Sequence, residues 1–598
     1  MKCRGIIKMC GIVGYVGEKQ CNKILMNGLR KLEYRGYDSV GIASLNNGLL
    51  NVVKKKGRVA TIEKESESIL GNIGIGHTRW STHGKPSDEN SHPHYTKNFA
   101  VVHNGIIENY LDIKIELVND GVKFSSETDT EVIVHLLEKY YQGDFLSAVK
   151  KTLKRLCGSY AIAIICKDYP EEIIVAKKDN PLIIGLGDKE GFVASDIPAL
   201  ADYTNRIIYL QDGEFAEVKK GEAIVYNDKG IKIDREVTVV DVEKSQLSTA
   251  GYESFMLKEI NEIPLAIENT RKSLQNLILP EKLVYMLKNT DLIKIIGCGT
   301  AYNSGLVGKQ LFTKYARVRC ETDIASEFRY NENLIDDKTL VIAVSQSGET
   351  ADTLAGVKIA KETGAYVLLI TNVANSSITH YADYTIVTKA GIETAVAATK
   401  SYNSQLVVFY YLAEKVAKLR GLECNFMDAL KYVPAKIKKS VLDKQDYIID
   451  LARKYHDVRS VFFLGRILDY AVAVEASLKL KEITYIHSEG YAGGELKHGT
   501  LALIDGQVLV VILESQKELV PKMENALREV EARDANVLVV TKDEKYSHCD
   551  AVILPDVDEA LMPLVEIVPF QLFAYYVSRC RGQDADKPRN LAKSVTVE

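Results

Sequence analysis

VIAVSQSGETADTLAGVKIAKE, residues 341–362, identifies the fold class of the longer part of the chain. It begins with the apolar run of a buried strand, passes through a polar loop that contains Gly348, and ends in a helical pattern. Strands of this kind that lead directly into helices are typical of parallel sheets covered on both faces. The stretch therefore predicts a doubly wound α/β domain.

The same strands recur further along the chain. Apolar runs at residues 293, 341, 367 and 386 have counterparts at 461, 508, 537 and 552, which lie 166–170 residues further on. Four strands kept at one offset are hard to obtain by chance, so we expect two related parallel-sheet domains. Their expected ranges are 281–425 and 450–588, followed by a C-terminal tail at 589–598.

The first part of the chain has a different pattern. Short β-type runs such as IVGYV (12–16) and SYAIAIIC (159–166) alternate with turn signals and with the helical run DTEVIVHLLEKYY (129–141). This predicts a β-rich domain over residues 10–225. Residues 226–280 are expected to be a linker region, in which SFMLKEINEIPLAIENTRKSL (254–274) predicts one long amphipathic helix.

Composition limits the function classes. The chain has 598 residues, with 76 Lys and Arg against 80 Asp and Glu, so it offers no broad basic field for nucleic acid. Apolar runs such as 406–412 and 508–513 fall short of the roughly 18 residues of a membrane helix. MKCRGIIK is too short for a signal-peptide core. Ten Cys without a CxxC pair indicate reduced thiols, and we expect a cytoplasmic enzyme without membrane or nucleic-acid partners.

Cys10, in MCGIVG, carries the first chemical signal. A thiol needs a base to become a nucleophile, and the α-amine of a chain that begins at Cys10 has a suitable reference pKa of ~7.7–8.0. We therefore expect residues 1–9 to be absent from the mature protein, through a start at Met9 or through cleavage. The alternative is an inert buried Cys on the first strand; Cys3 is a weaker nucleophile candidate, because CRGII lacks the GIVG continuation.

Three polar segments strengthen the interpretation of Cys10 as a nucleophile. GHTRWSTHGKPSDENSHPH (76–94) includes Arg79, which can pair with an α-carboxylate through two hydrogen bonds. In VVHNGIIEN (101–109) a strand is predicted to end in Asn104-Gly105, whose amide and backbone N–H are suitable oxyanion donors. SSETDTEV (125–132) places Asp129 at a helix start, where it can hold an α-ammonium. Five His lie between His77 and His103, but without zinc-like spacing, so we expect no metal.

CGIVGYVG, LEYRGYDSVGIA, HTRWSTHG, HNGIIEN and SETDTEV, in this order, resemble the N-terminal-nucleophile glutamine amidotransferase family. The resemblance implies a four-layer αββα sandwich in which the Cys10 thiolate attacks the glutamine side-chain amide, releasing ammonia and leaving a γ-glutamyl thioester. It further implies that Asn104 and Gly105 form the oxyanion hole and that Trp80 gates ammonia transfer. The residues implied to hold glutamine are Arg79, Thr82, His83 and Asp129, with His92 nearby.

The second part of the chain offers two candidate sites. Residues 345–350, SQSGET, place N–H groups and hydroxyls at a helix N-terminus, which suits a phosphate, although simple helix capping is the alternative. The equivalent VVILESQKELV (510–520) has no Gly and carries a carboxylate, which indicates a single phosphate site. Lys479 and Glu482 share a helix face; a solvated surface pair is the simpler interpretation. His498, in a Gly-rich loop, is a candidate acid or base or a turn residue.

GCGTAYNSG, ASEFRY, SQSGETADTLAG, LKLKEITYIHSEGYAGGELKHG and KPRNLAKSVTVE resemble the paired SIS domains of the glucosamine-6-phosphate synthase family. The resemblance covers residues 9–598 and implies synthesis of glucosamine 6-phosphate and glutamate from fructose 6-phosphate and glutamine, without cofactor. Lys593 would form a Schiff base at C2, Glu482 beside Lys479 would move the proton between C1 and C2, and His498 would assist ring opening. Residues implied to bind the sugar phosphate are Thr300, Ser345, Gln346, Ser347, Thr350, Val396 and Ala592.

Family membership also implies a homodimer through the SIS domains, with His498 acting across the interface. Ala476 and Thr500 depart from the family pattern, which has Gly and Pro there. Amidophosphoribosyltransferase and asparagine synthetase are alternatives, but their acidic phosphoribosyl and SGGxDS motifs do not occur. A sugar-phosphate-sensing regulator would need a DNA-binding element, which the net charge and the Cys10 chemistry disfavour. A different ketose phosphate is the remaining alternative acceptor.

Overall fold

The computed structural model describes residues 10–33, 36–80, 84–240, 248–332 and 334–595. The chain divides into two compact units, one within residues 1–247 and 594–598 and the other within residues 248–593. The predicted extension, residues 1–9, and two predicted glutamine ligands, Thr82 and His83, lie outside the described residues.

The N-terminal unit is built mainly from short strands. Its strands are β1 (Gly11–Val16), β2 (Ser39–Asn46), β3 (Leu49–Lys56), β4 (Ile73–Arg79), β5 (His94–Tyr95), β6 (Phe99–Ile107), β7 (Gly158–Cys166), β8 (Ile173–Lys178), β9 (Ile183–Leu186), β10 (Gly191–Ala194), β11 (Arg206–Tyr209), β12 (Phe215–Lys219), β13 (Glu222–Tyr226), β14 (Lys232–Ile233) and β15 (Thr238–Val239). Its helices are α1 (Cys21–Leu32), α2 (Glu63–Ser66), α3 (Tyr110–Asn119), α4 (Glu131–Tyr140) and α5 (Phe145–Leu153).

Two antiparallel sheets lie face to face in this unit. Their strand orders are β15-β11-β9-β10-β1-β4-β2-β3 and β14-β13-β12-β8-β7-β6-β5. Apolar residues of both sheets, among them Ile12, Ile75, Val102 and Ala163, form one buried cluster between them. Helix α1 covers the outer face of the first sheet and α3–α5 that of the second. This arrangement confirms the predicted four-layer αββα sandwich.

Strand β1 shows why the sequence of this unit has continuous apolar runs. Ile12 and Val16 point into the cluster between the sheets, whereas Val13 and Tyr15 pack in the cluster that contains α1. Since successive side chains alternate between the two faces of a strand, both faces of β1 are buried and neither tolerates polar residues.

The second unit alternates helices and strands. Up to the end of the first sheet its elements are α6 (Phe255–Asn261), α7 (Ile263–Gln275), α8 (Glu281–Asn289), β16 (Leu292–Gly297), α9 (Thr300–Tyr315), β17 (Arg319–Ile324), α10 (Ala325–Phe328), β18 (Thr339–Val344), α11 (Ala351–Glu362), β19 (Tyr366–Thr371) and β20 (Tyr384–Val387). The remaining elements are α12 (Lys400–Leu419), α13 (Phe426–Ala429), α14 (Val433–Ser440), α15 (Gln445–Tyr455), β21 (Ser460–Gly465), α16 (Leu468–Thr484), β22 (His487–Ala492), β23 (Val508–Glu514), α17 (Val520–Glu531), β24 (Asn536–Thr541), β25 (Asp550–Ile553) and α18 (Met562–Cys580).

The two parallel sheets of this unit have the same topology. Their strand orders, β17-β16-β18-β19-β20 and β22-β21-β23-β24-β25, match position by position, which confirms the predicted repeat. Each sheet also has an edge strand that the apolar runs did not predict, RCETDI in β17 and HSEGYA in β22. These edge strands are rich in polar residues and only partly buried, so their sequences lack the signal of a central strand.

The prediction of one long helix over residues 254–274 is wrong. The segment forms two helices, α6 and α7, with Glu262 between them and Pro264 in the first turn of α7. Proline lacks an N–H donor and its ring clashes with the preceding helical turn, so a single continuous helix would be strained at this point. Pro264 is instead well placed at the start of a new helix.

Among the described residues, one helical segment, Glu559–Cys580, is long and apolar enough to cross a membrane by length and composition. It comprises α18 and the turn before it, and 94% of its most apolar window is buried inside the protein. Such burial is typical of a core helix. The search for apolar runs in the sequence did not reveal this helix, because Glu566 and Gln571 interrupt its apolar stretch.

Candidate active sites

Cys10 lies at the start of β1, and only 9% of the residue is exposed. The backbone N–H of Trp80 donates to its Sγ at 3.2 Å. Burial raises the pKa of the thiol to about 11, although the Trp80 bond and the nearby Arg79 act in the opposite direction. The thiol is therefore protonated near neutrality, and a base is needed to form the thiolate.

Asn104 is held against the Cys10 backbone. Its Nδ2 donates to the Cys10 carbonyl at 2.9 Å and to Ser195 Oγ at 3.0 Å. His77 Nε2 lies 3.0 Å from both Asn104 Oδ1 and the His103 carbonyl. Both of these oxygens are acceptors, so we assign the imidazole proton to Nε2. Burial lowers the pKa of His77 to about 3, which keeps the ring neutral.

Gly105 occupies a position that only glycine fits. It lies inside β6, which continues to Ile107, so the prediction that the strand ends at Asn104-Gly105 is wrong. Its φ is +123°, and a Cβ built there would lie 2.1 Å from the Ser159 carbonyl oxygen. The continued strand also places Ile107, whose N–H donates to Asp129 Oδ2 at 2.8 Å. Asp129 is thereby fixed just before α4.

Two further buried histidines pack behind His77. The rings of His77 and His92 stack at 4.2 Å, and His94 lies edge-on to His92 at 4.8 Å. Burial lowers the pKa of His92 and of His94 well below the ordinary value, so both rings are neutral, and each makes a hydrogen bond, His92 with the His103 N–H and His94 with Thr128. Within the described ranges, the only group of three possible metal ligands close together is Glu531, His548 and Cys549, far along the chain from these histidines.

Arg79 ends the strand that pairs with β1, and Trp80 follows it. Arg79 is the last residue of β4 and is 3% exposed, and burial lowers the pKa of its guanidinium. The indole of Trp80 packs edge-on against Tyr37, with ring centroids 4.8 Å apart. The pairing of β4 with β1 thus brings Arg79 and the backbone of Trp80 to Cys10.

The loop between β18 and α11 uses its hydroxyls within the loop. Ser345 Oγ and Thr350 Oγ1 are 2.9 Å apart, and the Gly348 N–H donates to Ser345 Oγ at 3.0 Å. Thr350 is the N-cap residue of α11, yet its side chain makes no capping hydrogen bond. The capping interpretation therefore does not explain these residues, and the helix N-terminus stays available for an anion.

The shape of this loop depends on Gly348. Its φ is +66°, and a Cβ at this position would lie 1.8 Å from Ser376 Oγ. The loop is also tied to the next strand connection, because Glu349 Oε1 accepts from the Ser377 N–H at 2.8 Å. Gln346 and Ser347 complete the turn, and the Gln346 carbonyl accepts from the Asn372 N–H at 3.0 Å.

An internal carboxylate holds the corresponding loop of the second sheet. The backbone N–H of Ser515 donates to Asp469 Oδ2 at 2.9 Å, and its hydroxyl donates to Asp469 Oδ1 at 2.6 Å. Asp469 lies in the first turn of α16, which is the counterpart of α9 in the first sheet. The second loop is therefore satisfied by the protein's own anion, in line with the single phosphate site expected from the sequence.

Thr300, Lys479 and Glu482 meet between α9 and α16. Lys479 Nζ donates to Glu482 Oε2 at 2.6 Å and to Thr300 Oγ1 at 2.9 Å. The interpretation as a solvated surface pair is wrong, because Lys479 is completely buried. Thr300 is the first residue of α9 and is thus connected both to a helix N-terminus and to the ion pair.

Lys593 is also buried, although it lies close to the end of the chain. Its Nζ lies 2.5 Å from Glu393 Oε2, and the two side chains are 7% and 0% exposed. The C-terminal segment is held by the Val396 N–H, which donates to the Asp586 carbonyl at 3.0 Å. Ala592, next to Lys593, is partly buried.

Comparisons with known proteins agree with this geometry. A family model described as a glutamine amidotransferase domain matches residues 77–202, and one described as a SIS domain matches residues 286–415 and 454–578. A glutamine–fructose-6-phosphate aminotransferase (isomerizing) of Caldanaerobacter subterraneus subsp. tengcongensis is 47% identical over 99% of this chain and 100% of its own. The chain belongs to the glutamine–fructose-6-phosphate aminotransferase (isomerizing) family.

Other members of this aminotransferase family show the same coverage. The relative from Clostridium perfringens is 47% identical and that from Thermococcus kodakarensis 44%, each over 99% of this chain and 100% of its own length. The solved C-terminal domain of glucosamine-fructose-6-phosphate aminotransferase from Francisella tularensis is 36% identical, with a TM-score of 0.55. It covers 57% of this chain and 100% of the solved one.

Two buried acids of this aminotransferase were not found from the sequence. Glu475 accepts from Thr300 Oγ1 at 3.0 Å and from Asn303 Nδ2 at 2.8 Å, and its pKa is raised to about 7 by burial, against the effect of Lys479. Its position four residues before Lys479 in an apolar helix was the available signal. Glu393, the partner of Lys593, lies in an irregular segment before α12 and offered no such signal.

His498 stands apart from the other candidates. It ends a short 3₁₀ helix, Glu495–His498, and its side chain is exposed. None of the hydrogen bonds or ion pairs found among the described residues involves His498, whereas Lys479 and Glu482 are paired with each other. Within one copy of the aminotransferase, therefore, the structure does not bring His498 to the ion pair.

Proposed function

We propose that this protein converts fructose 6-phosphate and L-glutamine to glucosamine 6-phosphate and L-glutamate, the first step of amino-sugar synthesis. The observation that carries the proposal is the contact of Thr300, at a helix N-terminus suited to phosphate, with the buried Lys479–Glu482 pair. Thr300 thereby joins the start of α9 to the buried pair, and we assign a contact with the sugar phosphate to Thr300 and proton transfer to Glu482. The same chain supplies a nucleophile site of the amidotransferase type around Cys10.

The glutaminase half-reaction uses the N-terminal unit. The Cys10 thiolate attacks the glutamine amide carbon, and the tetrahedral oxyanion is stabilised by Asn104 Nδ2 and the Gly105 N–H. Ammonia leaves, and water then hydrolyses the γ-glutamyl thioester to glutamate. Arg79 pairs with the α-carboxylate and Asp129 with the α-ammonium. We assign supporting contacts to Thr82, His83 and His92, and the gating of ammonia to Trp80.

The Cys10 thiol needs a base before it can attack glutamine. With a thiol pKa near 11, proton removal must be assisted, and an α-amine on Cys10 itself would suit this role. We therefore propose that the active protein begins at Cys10. Mass spectrometry of the protein purified from its natural source tests this, because an active chain that retains Met1 contradicts the free-amine mechanism.

The sugar half-reaction uses the SIS domains. We assign phosphate binding to Ser345, Gln346, Ser347, Thr350 and Thr300, and backbone contacts to Val396 and Ala592. Lys593 forms a protonated imine at C2, which acidifies the C1 hydrogen. Ammonia displaces the lysine nitrogen from C2, and Glu482, beside Lys479, transfers the proton from C1 to C2, leaving an aldose with an amino group.

The decisive assay measures amino-sugar formation from a panel of ketose phosphates in the presence of glutamine. We expect glucosamine 6-phosphate from fructose 6-phosphate, together with equimolar glutamate. Glutamate release without amino sugar from fructose 6-phosphate would contradict the acceptor assignment, and amino-sugar formation from another ketose phosphate alone would reassign it.

We also propose a cytoplasmic homodimer in which the SIS domains, 281–425 and 450–588, form the interface. In that dimer the exposed His498 assists ring opening at the partner's sugar site. Mixing His498→Ala and Lys593→Ala proteins tests this arrangement, because a hybrid dimer then contains one complete sugar site. Recovery of activity on mixing is expected, and two inactive proteins that stay inactive after verified subunit exchange would contradict it.

A further inference from the structure

Lys593 belongs to a cluster of ionisable side chains whose other members have no role in the proposed reaction. The cluster lies between α6, the segment before α12, and the C-terminal segment of the second unit. Its members, all buried or partly buried, are Glu259, Glu262, Glu393, Lys400 and Lys593. Charges in such a setting must be paired, since an uncompensated ion in the interior costs several kcal/mol.

Two ion pairs account for both lysines of the cluster. Lys400 Nζ contacts Glu262 Oε2 at 2.7 Å, and Lys593 Nζ contacts Glu393 Oε2 at 2.5 Å. Glu259 pairs with neither lysine: its Oε1 accepts from the Thr394 N–H at 2.5 Å, and its Oε2 has no hydrogen-bond partner among the described residues. Glu262 and Glu393 are therefore each paired with a lysine, whereas Glu259 is hydrogen-bonded to the backbone.

Glu259 and Glu393 differ in charge. Burial and the neighbouring Glu393 raise the pKa of Glu259 to about 8, so it is a neutral acid at pH 7. Burial alone would also raise the pKa of Glu393, but Lys593 and the hydrogen bonds from the Thr399 N–H and Ser401 lower it to about 2. Glu393 is thus a permanent anion, held at the N-terminus of α12.

We propose that Glu393 is the fixed counter-ion of the Lys593 nitrogen throughout its reaction with the ketose, pairing first with the ammonium and then with the protonated imine. The inference rests on the proposed function, in which Lys593 forms that imine. When Nζ bonds to C2, the nitrogen loses two protons and the C2 oxygen leaves with them as water. One N–H and one positive charge remain on the nitrogen, so the same carboxylate can pair with both states.

A fixed counter-ion suits the chemistry better than a base at this position. A carboxylate that stays ionised near neutrality is a poor proton acceptor, but it favours the charged imine over the neutral one. The charged imine is the stronger electrophile, and its charge favours the addition of ammonia at C2 that displaces the lysine nitrogen. Glu393 therefore supports the step without exchanging a proton.

Borohydride trapping tests the proposal directly. The enzyme is mixed with fructose 6-phosphate and sodium borohydride, and the rate of sugar attachment to Lys593 is followed by mass spectrometry. Glu393→Gln keeps the shape and removes the charge, and we expect trapping to slow by about 10- to 100-fold. Glu259→Gln is the matched control, because it replaces a neutral buried acid by a neutral amide of the same size and should leave trapping within about twofold.

The outcomes separate this inference from the function on which it rests. If the wild-type enzyme is not trapped on Lys593 while it still forms glucosamine 6-phosphate, the imine itself is wrong. If the wild type is trapped and folded Glu393→Gln is trapped equally fast, the counter-ion role is wrong and the imine stands. Should Glu393→Gln fail to fold, Glu393→Asp decides: it retains the charge, and a folded Asp variant that loses trapping completely would contradict the proposal.

Discussion

His77 Nε2 lies 3.0 Å from Asn104 Oδ1, and this hydrogen bond turns the amide nitrogen of Asn104 towards Cys10. The imidazole therefore acts on the proposed oxyanion hole without touching the substrate. We expect His77→Ala to lower the kcat for glutamate release by about tenfold or more, because a misoriented donor loses part of the 10²–10³ that one oxyanion donor contributes. The double variant with Asn104→Ala should be no worse than Asn104→Ala alone; independent, multiplicative losses would contradict the positioning role.

Gly105→Ala should destabilise the N-terminal unit and abolish glutaminase activity. A Cβ there meets the Ser159 carbonyl at 2.1 Å, in addition to the strain of a positive φ. Gly121→Ala is the matched control, since Gly121 also has a positive φ (+88°) but no atom within 4 Å of its Cβ. We expect the control to lose about 1–2 kcal/mol of unfolding free energy. Gly105→Ala should lose clearly more, as measured by thermal unfolding. Equal losses would show that the contact with Ser159 relaxes at no cost.

Gly348→Ala should raise the KM for fructose 6-phosphate while leaving glutamate release measurable. The added Cβ would lie 1.8 Å from Ser376 Oγ, so the loop between β18 and α11, to which we assign the sugar phosphate, must move. Gly364→Ala shares the positive φ (+85°) in the same domain, but its nearest neighbour is 3.9 Å away. A KM that rises equally in both variants would mean that general loss of stability, rather than the loop, controls sugar binding.

Glu475 should make the stability of the second unit depend on pH. Its folded pKa of about 7 lies above the ordinary 4.5, so between these values the folded protein retains a proton that the unfolded chain releases. Stability contributed by this group is thus lost as the pH rises from 4.5 to 7. Glu475→Gln should flatten this decline and stabilise the protein at pH 7 by about 1–3 kcal/mol. The melting temperatures of the wild type and of Glu475→Gln at pH 5 and pH 7 measure this difference. An equal change of melting temperature with pH in both proteins would disprove the proposed titration of Glu475.

The two half-reactions should be separable by mutation. Cys10→Ala removes the nucleophile and should abolish glutamate release while isomerisation of fructose 6-phosphate remains measurable. Lys593→Ala should abolish isomerisation and leave glutamate release detectable. Loss of both activities in either folded variant would contradict separate sites.

Secondary-structure elements with a clear local pattern, such as an apolar run, could be predicted from the sequence. The central strands of both parallel sheets are buried on both faces, and their apolar runs revealed the repeat. The nucleophile site was visible for another reason: Arg79 and Asp129 come from polar motifs, and Cys10 and Asn104 each stand before a glycine in a strand-like run. The predicted helix across Pro264 failed because its amphipathic pattern continues through a residue that interrupts helical hydrogen bonds.

The buried acids could not be predicted, because their partners are distant in sequence. Glu393 meets Lys593 across 200 positions, and Thr300 meets Glu475 across 175. A single acid in an apolar or irregular segment has the same local appearance whether it is paired or not. Only the packing of the two related domains determines which acids become ionised partners.

The carboxylate of Asp469 gives the two related loops different requirements. The second loop is held by this carboxylate, whereas Thr350 beside the first loop makes no capping hydrogen bond, and the first loop is the one to which we assign the sugar phosphate. Sugar phosphate should therefore protect the amides of residues 345–350 from hydrogen exchange and leave those of 514–519 unchanged. Duplication has in this way left one loop for a ligand and filled the corresponding loop with a side chain of the protein itself.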